Sequence, residues 1–401
     1  MTPARLREAR EILRSNSRED RYTVPSAHLY PYQWAWDSAF IAVGWATFDR
    51  ERALVELETL FSRQWPDGRV PHIAFWADTD TYFPGPAQWG RTDTSTITNP
   101  LVFALALERV VQRWGRMSPA VTSRMGQLLR RIERAHAFVA TARDPLGIGA
   151  VVCAHPWESG RDNCPAWDRA MARVDIEGVD ASGRTDKAKV DDAAQRPTDE
   201  AYRGYLALVA AIREGGFGMG PFAVYDPFLT ALLIRSDDAL LRLAERFDVE
   251  TDAARRSDRA AAALHASLFD GEGYVFLDAR TSETQRLPLL AALQPLAARP
   301  PPGRIEALAE ARQAFRHGYA APTVAPTAEA FDPVCYWRGP VWINMNWLHE
   351  PVLGSCVRDG ALALIERSGF REYFHPETGA GLGAERFAWS AALALDWSEP
   401  L

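Results

Sequence analysis

The chain has 401 residues, 47% of them hydrophobic, and a formal net charge of −7. That much apolar side chain can bury a large core in one or two domains, while the acidic balance excludes a nucleic-acid partner held by clustered Lys and Arg. The charged start Met1–Glu8 lacks the apolar stretch of a secretory signal, and no apolar run approaches the roughly 18–20 residues that cross a bilayer, so a cytoplasmic protein without membrane contact is expected.

Helical periodicity dominates. It predicts helices over 3–14, 34–47, 50–64, 98–114, 119–142, 199–213, 226–246, 250–268, 303–313, 340–352, 356–370 and 387–396, with Asp49 ahead of the third and Ser118-Pro119 opening the fifth. Strand signals are confined to Gly149–Val152 and Gly273–Leu277, without βαβ alternation. About twelve helices joined by alternating short and long connections predict inner and outer helices closing into a ring. The expected fold is an all-α (α/α)6 barrel, a single domain over 1–401 with a few short strands and its functional loops at one end. A helical solenoid would show a repeat of roughly 34–47 residues, which is absent.

The long loops, 64–97, 144–168, 173–198, 318–338 and 371–386, carry the unusual residues. Gly178–Arg196 is polar and nearly free of large apolar side chains. It reads either as a disordered insertion or as a lid, 173–198, anchored at Arg196-Pro197-Thr198. The four cysteines have no CxxC spacing and are expected as free thiols, and the eight histidines form no metal-ligand pattern.

Taken in chain order, Tyr30-Pro31-Tyr32-Gln33-Trp34-Ala35-Trp36-Asp37 places two indoles and a carboxylate at a helix start. Asp37 either accepts sugar hydroxyls or merely caps the helix. Trp34, Trp36, Trp76, Trp89, Trp157 and Trp337 all sit beside polar or charged residues, as in a sugar-binding cavity. His72 follows Val70-Pro71 in a Trp-rich loop and is a candidate for the same cavity. The most informative stretch is His155-Pro156-Trp157-Glu158-Ser159-Gly160-Arg161-Asp162-Asn163, with two carboxylates on one loop; Glu372 lies on another aromatic-flanked loop, Arg371–Gly379. A carboxylic acid on each side of a sugar is what glycosidic hydrolysis requires, and inversion needs the pair roughly 6.5–9.5 Å apart. Asp162 and Glu372 could straddle a cavity in this way, but chemistry alone does not separate Asp162 from Glu158. In Tyr336-Trp337-Arg338-Gly339-Pro340-Val341-Trp342, Arg338 could hold a carboxylate or form a salt bridge at a helix end.

Together these blocks, Tyr30–Phe40, Gln64–His72, Thr92–Pro100, His155–Trp167, Arg196–Tyr205, Tyr336–Trp347 and Glu372–Ala392, resemble glycoside hydrolase family 63 over nearly the whole chain, and within it the bacterial mannosylglycerate and glucosylglycerate hydrolases. The resemblance implies an (α/α)6 barrel and hydrolysis with inversion, without a metal or other cofactor. It implies Asp162 as general acid and Glu372 as general base. Trp34, Trp36 and Asp37 would line the sugar subsite, with Trp337 and Trp342 in the same wall. Tyr30, Tyr82, Arg196 and Tyr202 would hold the glycerate carboxylate, a fit for a guanidinium. Two positions depart from the family. Asn99 stands where a glutamine is usual, and Arg386 stands where an amide side chain is expected, giving the site an extra cation. The implied partner is a small glycoside with an acidic aglycone; self-association into a homo-oligomer is left open. The alternatives are a neutral disaccharide α-glucosidase of trehalase or glucoamylase type, a sugar epimerase or isomerase, or a non-catalytic sugar-binding protein on the same barrel.

Overall fold

A helix that is apolar on every face is satisfied only inside the molecule, and the inner helices of this chain have that character. The computed structural model of the protein describes residues 1–77, 81–316 and 318–399. Its helices are α1 (Pro3–Asn16), α2 (Ala35–Trp45), α3 (Arg50–Phe61), α4 (Pro86–Trp89), α5 (Phe103–Trp114), α6 (Pro119–Ala142), α7 (Asp168–Met171), α8 (Asp199–Glu214), α9 (Pro227–Phe247), α10 (Ala253–Ser267), α11 (Arg304–Ala307), α12 (Ala309–Gln313), α13 (Ile343–Leu353), α14 (Cys356–Ser368) and α15 (Ala388–Ser398). Every residue of α2 is buried, as is every residue of α15 from Ala388 to Asp396.

These helices pack in a closed circuit. α2 lies on α5, α5 on α9, α9 on the 3-10 helix Leu290–Ala297, that helix on α13, α13 on α15, and α15 back on α2. Outside it, α1 lies against α15 and α2, α3 against α2 and α5, α6 against α5 and α9, α10 against α9, and α14 against α13 and α15. The outer helices bury one stripe only. In α6 it is Met125, Leu128, Leu129 and Ile132, the i, i+3, i+4, i+7 spacing of a helix with its other face in water. Thr2, Asp49, Ser118, Thr198 and Asp226 cap α1, α3, α6, α8 and α9 by accepting a backbone N–H, each worth about 1 kcal/mol.

The differences from the sequence-based expectation have local causes. The helix expected from 98 starts at Phe103, because Pro100 pushes Asn99 out of the helical region. The helix expected from 340 starts at Ile343, after an extended Trp342. The one expected at 303–313 breaks at Leu308 into α11 and α12. Leu290–Ala297 escaped prediction altogether. It is a short 3-10 turn containing Pro295, with no room for a helical period. Strands form at Val152–Cys153 and Phe276–Asp278, each displaced toward the C-terminal end of its expected stretch, and join Val224–Tyr225 and Thr284–Gln285 in a small antiparallel sheet.

Gly178–Arg196 has a defined path, with 3-10 turns at Asp186–Lys189 and Ala193–Gln195. Of the expected 64–97 loop, residues 78–80 lie outside the described residues, and Pro86–Trp89 forms α4. The four cysteines are free. Among the described residues no helix is long and apolar enough to cross a membrane.

Candidate active site

The connections leading into α2, α5, α8, α13 and α15 converge on one pocket of about 800 Å³, its open mouth included. Trp34 reaches it from a strand pair with Ile73, and Trp36 and Asp37 from the first turn of α2. Trp34 itself holds the cap position of α2 without a side-chain bond, so Asp37 is not the cap; it lies buried in the pocket wall. Burial pushes its carboxyl well above the usual carboxylate range, with Glu372 and Glu56 adding to the effect.

The aromatic wall is made of Trp34, Trp36, Trp157, Trp337 and Trp389. Trp36 lies 6.0 Å from Trp337 and edge-on to Trp389 at 5.3 Å. Gly160, at φ +67°, lets the 155–163 loop lie against Trp36, since a Cβ there would meet the indole at 2.4 Å. The indole N–H groups of Trp337 and Trp389 and Nδ1 of His72 are buried with no protein partner among the described residues. Burial lowers the His72 pKa to about 3, so the ring is neutral and can bond a hydroxyl.

Asp162 is fixed from both sides. Arg161 forms a buried ion pair with Asp226, and Asn163 Oδ1 accepts from the Trp337 N–H at 2.9 Å. The Tyr205 hydroxyl donates to the Asp162 carbonyl at 3.0 Å. The Asp162 side chain opens into the pocket but is otherwise surrounded by protein. Desolvation, opposed by the charge of Arg196 and reinforced by Glu372, pushes its pKa up to about 7.

Glu372 stands at the start of the Tyr373–Leu382 hairpin and is buried. Its Oε1 accepts from the Tyr30 hydroxyl at 2.7 Å, and its Oε2 accepts from the Ala384 N–H at 3.0 Å. Arg196 approaches both oxygens through Nη1, at 3.4 and 3.5 Å, and donates to Tyr30 through Nη2 at 2.7 Å. The Tyr30 and Tyr336 hydroxyls are 3.1 Å apart, and the Arg196 guanidinium lies 4.2 Å from the Tyr336 ring centre. Tyr82 and Tyr202 complete this side of the pocket; the Tyr202 hydroxyl donates to the Phe83 carbonyl at 2.6 Å.

Twelve sequence-derived candidates thus line one pocket: Asp162, Glu372, Tyr30, Trp34, Trp36, Asp37, His72, Tyr82, Trp157, Arg196, Tyr202 and Trp337. Trp342 and Arg386 do not. Trp342 lies behind the wall, stacked on Trp337 at 3.7 Å and 6°, and spends its indole N–H on the Tyr336 carbonyl. Arg386, at φ +49°, turns outward toward Glu11 and Ser15, and its neighbour Phe387 enters the pocket instead. No extra cation therefore joins the site at 386. Trp76 and Trp89 also lie off the pocket, Trp89 packing behind His72 and Trp157. Arg338 pairs with Asp168 at the start of α7. Asn99 lines the pocket while bridging the Trp36 N–H and the Trp157 carbonyl.

Glu158, the rival to Asp162, lies outside this pocket. It is buried, accepts from Arg143 and from the N–H groups of Thr98 and Ala154, and so holds the loop. Glu158→Gln leaves a buried guanidinium without its anion, and a loss of about 3–5 kcal/mol is expected. Urea titration checks this; a stability change under about 1 kcal/mol would contradict the anchoring role.

Sequence reasoning passed over Tyr205, Tyr336, Asp186, Phe387 and Trp389, all in the pocket lining. Tyr205, Tyr336, Phe387 and Trp389 lie inside blocks already singled out and could have been taken with them. Asp186 carries no local signal, since its surroundings read as a solvated loop.

Residues 30–390 match the family described as the mannosylglycerate hydrolase MGH1-like glycoside hydrolase domain. A mannosylglycerate hydrolase of Thermus thermophilus is 40% identical over 98% of this chain and 100% of its own length. A glucosylglycerate hydrolase of Mycolicibacterium hassiacum is 32% identical over 99% and 98%. The fold matches the crystal structure of a GH63 mannosylglycerate hydrolase from Thermus thermophilus in complex with Tris and D-glycerate, at TM-score 0.93 and 39% identity, over 99% of this chain and 100% of that one.

Proposed function

Because the chain belongs to the mannosylglycerate hydrolase-like glycoside hydrolases of family 63, we propose that it hydrolyses mannosylglycerate or glucosylglycerate, with inversion, to the free sugar and glycerate. We infer that the closed helix circuit is the inner ring of an (α/α)6 barrel, with α1, α3, α6, α10 and α14 in the outer ring. The observation that carries the functional reading is a matched pair of carboxyl groups in one pocket. Asp162, with a pKa of about 7, holds a proton near neutrality; Glu372 is buried among donors and beside a cation.

In this reaction Asp162 gives its proton to the glycosidic oxygen as the C1–O bond breaks. Glu372 takes a proton from the water that attacks C1 from the opposite face. The indole wall packs on the C–H face of the sugar; Asp37, the indole N–H groups and His72 meet its hydroxyls. An acidic aglycone is favoured because Arg196 and the hydroxyls of Tyr30, Tyr82 and Tyr202 gather on one side of the pocket. Segment 173–198, which brings Thr185 and Asp186 to the pocket, serves as its cover.

Proton NMR of the protein with α-mannosylglycerate, α-glucosylglycerate and trehalose in parallel tests the reading. The β-anomer of the sugar is expected first, from a glycerate glycoside. The α-anomer first would overturn inversion, and turnover of trehalose alone would overturn the acidic aglycone.

A further inference from the structure

The polar segment 178–196 does something that a solvated loop has no reason to do. It desolvates three charged side chains, Arg184, Asp186 and Arg196, exposed by only 4%, 11% and 5%. Burying charge is costly unless each group is paired, and here the pairing forms a chain that ends at Glu372. Arg184 grips both oxygens of Asp186, through Nε and, at 2.9 Å, through Nη2. Asp186 Oδ2 accepts from Arg196 Nε at 3.0 Å. Arg196 then faces Glu372 through Nη1 alone, at the long distances of 3.4 and 3.5 Å.

A guanidinium prefers a parallel two-bond pairing with one carboxylate at about 2.7–2.9 Å. Arg196 does not form it with Glu372, because Asp186 draws on its Nε edge and Tyr30 on Nη2. A tight Arg196–Glu372 pair would satisfy the carboxylate and leave it a poor acceptor for a proton from water. We propose that Asp186 is a positioning residue that holds Arg196 back from Glu372 and so keeps the base free to act. This rests on the reading of Glu372 as the general base. It also gives the segment a function in the chemistry: only when 184–186 is seated does Arg196 have its second anion. The groups facing Glu372 are Arg196, Tyr30, Tyr336 and Tyr373, and the carboxyls of Asp162 and Asp37 in the same pocket are within reach of its charge.

Asp186→Asn is a clean test because the Arg196 backbone is anchored elsewhere. Next to it, the Gln195 carbonyl accepts from the Tyr373 hydroxyl and Gln195 Oε1 accepts from the Gly383 N–H, at 2.8 and 2.9 Å. The direct readout is the titration of Glu372, followed by 13C NMR of protein carrying carboxyl-labelled glutamate and assigned by the signal lost in Glu372→Gln. In Asp186→Asn the midpoint of Glu372 is expected to fall by about one pH unit or more as Arg196 closes on it. The low-pH limb of kcat/KM should move by the same amount, with kcat down about tenfold, KM changing less, and Asp186→Glu restoring both. In an Arg196→Gln background the Asp186→Asn shift should vanish. An unmoved Glu372 midpoint would overturn the proposal, and so would an equal shift in the Arg196→Gln background, which would trace it to the direct field of Asp186. If the midpoint moves as expected while the parent protein hydrolyses no glycoside, the positioning of Arg196 stands and the glycosidase reading fails.

Discussion

Asp162→Asn is expected to hydrolyse a glycerate glycoside about 10²–10⁴-fold more slowly than the parent, the range for losing a positioned general acid, while folding normally. The fold should survive because the change removes little that the native state relies on. Desolvation already favours the neutral form of this side chain, and the carbonyl that Tyr205 holds is main chain. The replacement amide is also neutral and has nearly the same shape. The sharper result concerns the leaving group. Glycerate leaves as an alkoxide unless it is protonated, whereas fluoride leaves readily without help. On an α-glycosyl fluoride the Asp162→Asn deficit should therefore shrink to within about tenfold. A deficit of equal size on both substrates would mean that Asp162 positions the sugar and donates no proton.

The pH profile follows with a definite sign. A pKa raised to about 7 means that Asp162 is protonated below that pH and ionised above it. A general acid works only while protonated, so kcat/KM for the glycoside should be level just below pH 7 and fall tenfold per unit above it. That limb should be absent in Asp162→Asn, and absent for the parent acting on the fluoride.

How far the site was legible depends on how local its causes are. The indoles and Glu372 stood out because each sits in a short aromatic-rich block, whereas Asp162 was separated from Glu158 only by the family resemblance. The succession of helices was legible for a similar reason: an apolar stripe repeats within one helix, so its signal needs no knowledge of the partner. The failures at the site come from contacts between residues distant in sequence. Asp186 is buried only because Arg184 and Arg196 meet it from either side, and nothing in a polar stretch foretells that meeting. Arg386 was placed in the site by the family resemblance, at a position where an amide side chain is expected. Its left-handed backbone then sends the side chain toward α1 and the next residue, Phe387, into the pocket. Trp342 was right in type and wrong in layer: stacked against Trp337, it stiffens the wall without reaching the pocket. Leu290–Ala297 shows the same limit for the fold, because eight residues with a proline inside can complete a helix circuit but cannot display a period.

Glu372→Gln should behave differently from Asp162→Asn on both counts. The attacking water must lose a proton whatever group departs, so the loss of about 10²–10⁴-fold should be equally large on the glycoside and on the fluoride. Stability should also fall. The native carboxylate accepts on both oxygens, from Tyr30 on one and from Ala384 on the other, with Arg196 Nη1 facing both. An amide has one accepting oxygen, so in either orientation its NH2 group opposes a donor, at a cost of about 1–3 kcal/mol. Gly383 lies close beside this side chain. A Cβ at 383 would lie 2.5 Å from Glu372 Oε2, and the backbone there is at φ +64°. Gly383→Ala is for that reason a second route to the same defect, displacing the carboxylate without changing its charge. Paired assays on the two substrates, with urea titrations of each variant, separate the cases. A Glu372→Gln protein that turned over the fluoride at the parental rate would transfer the base to another carboxylate in the pocket, and Asp37 would then be the group to replace.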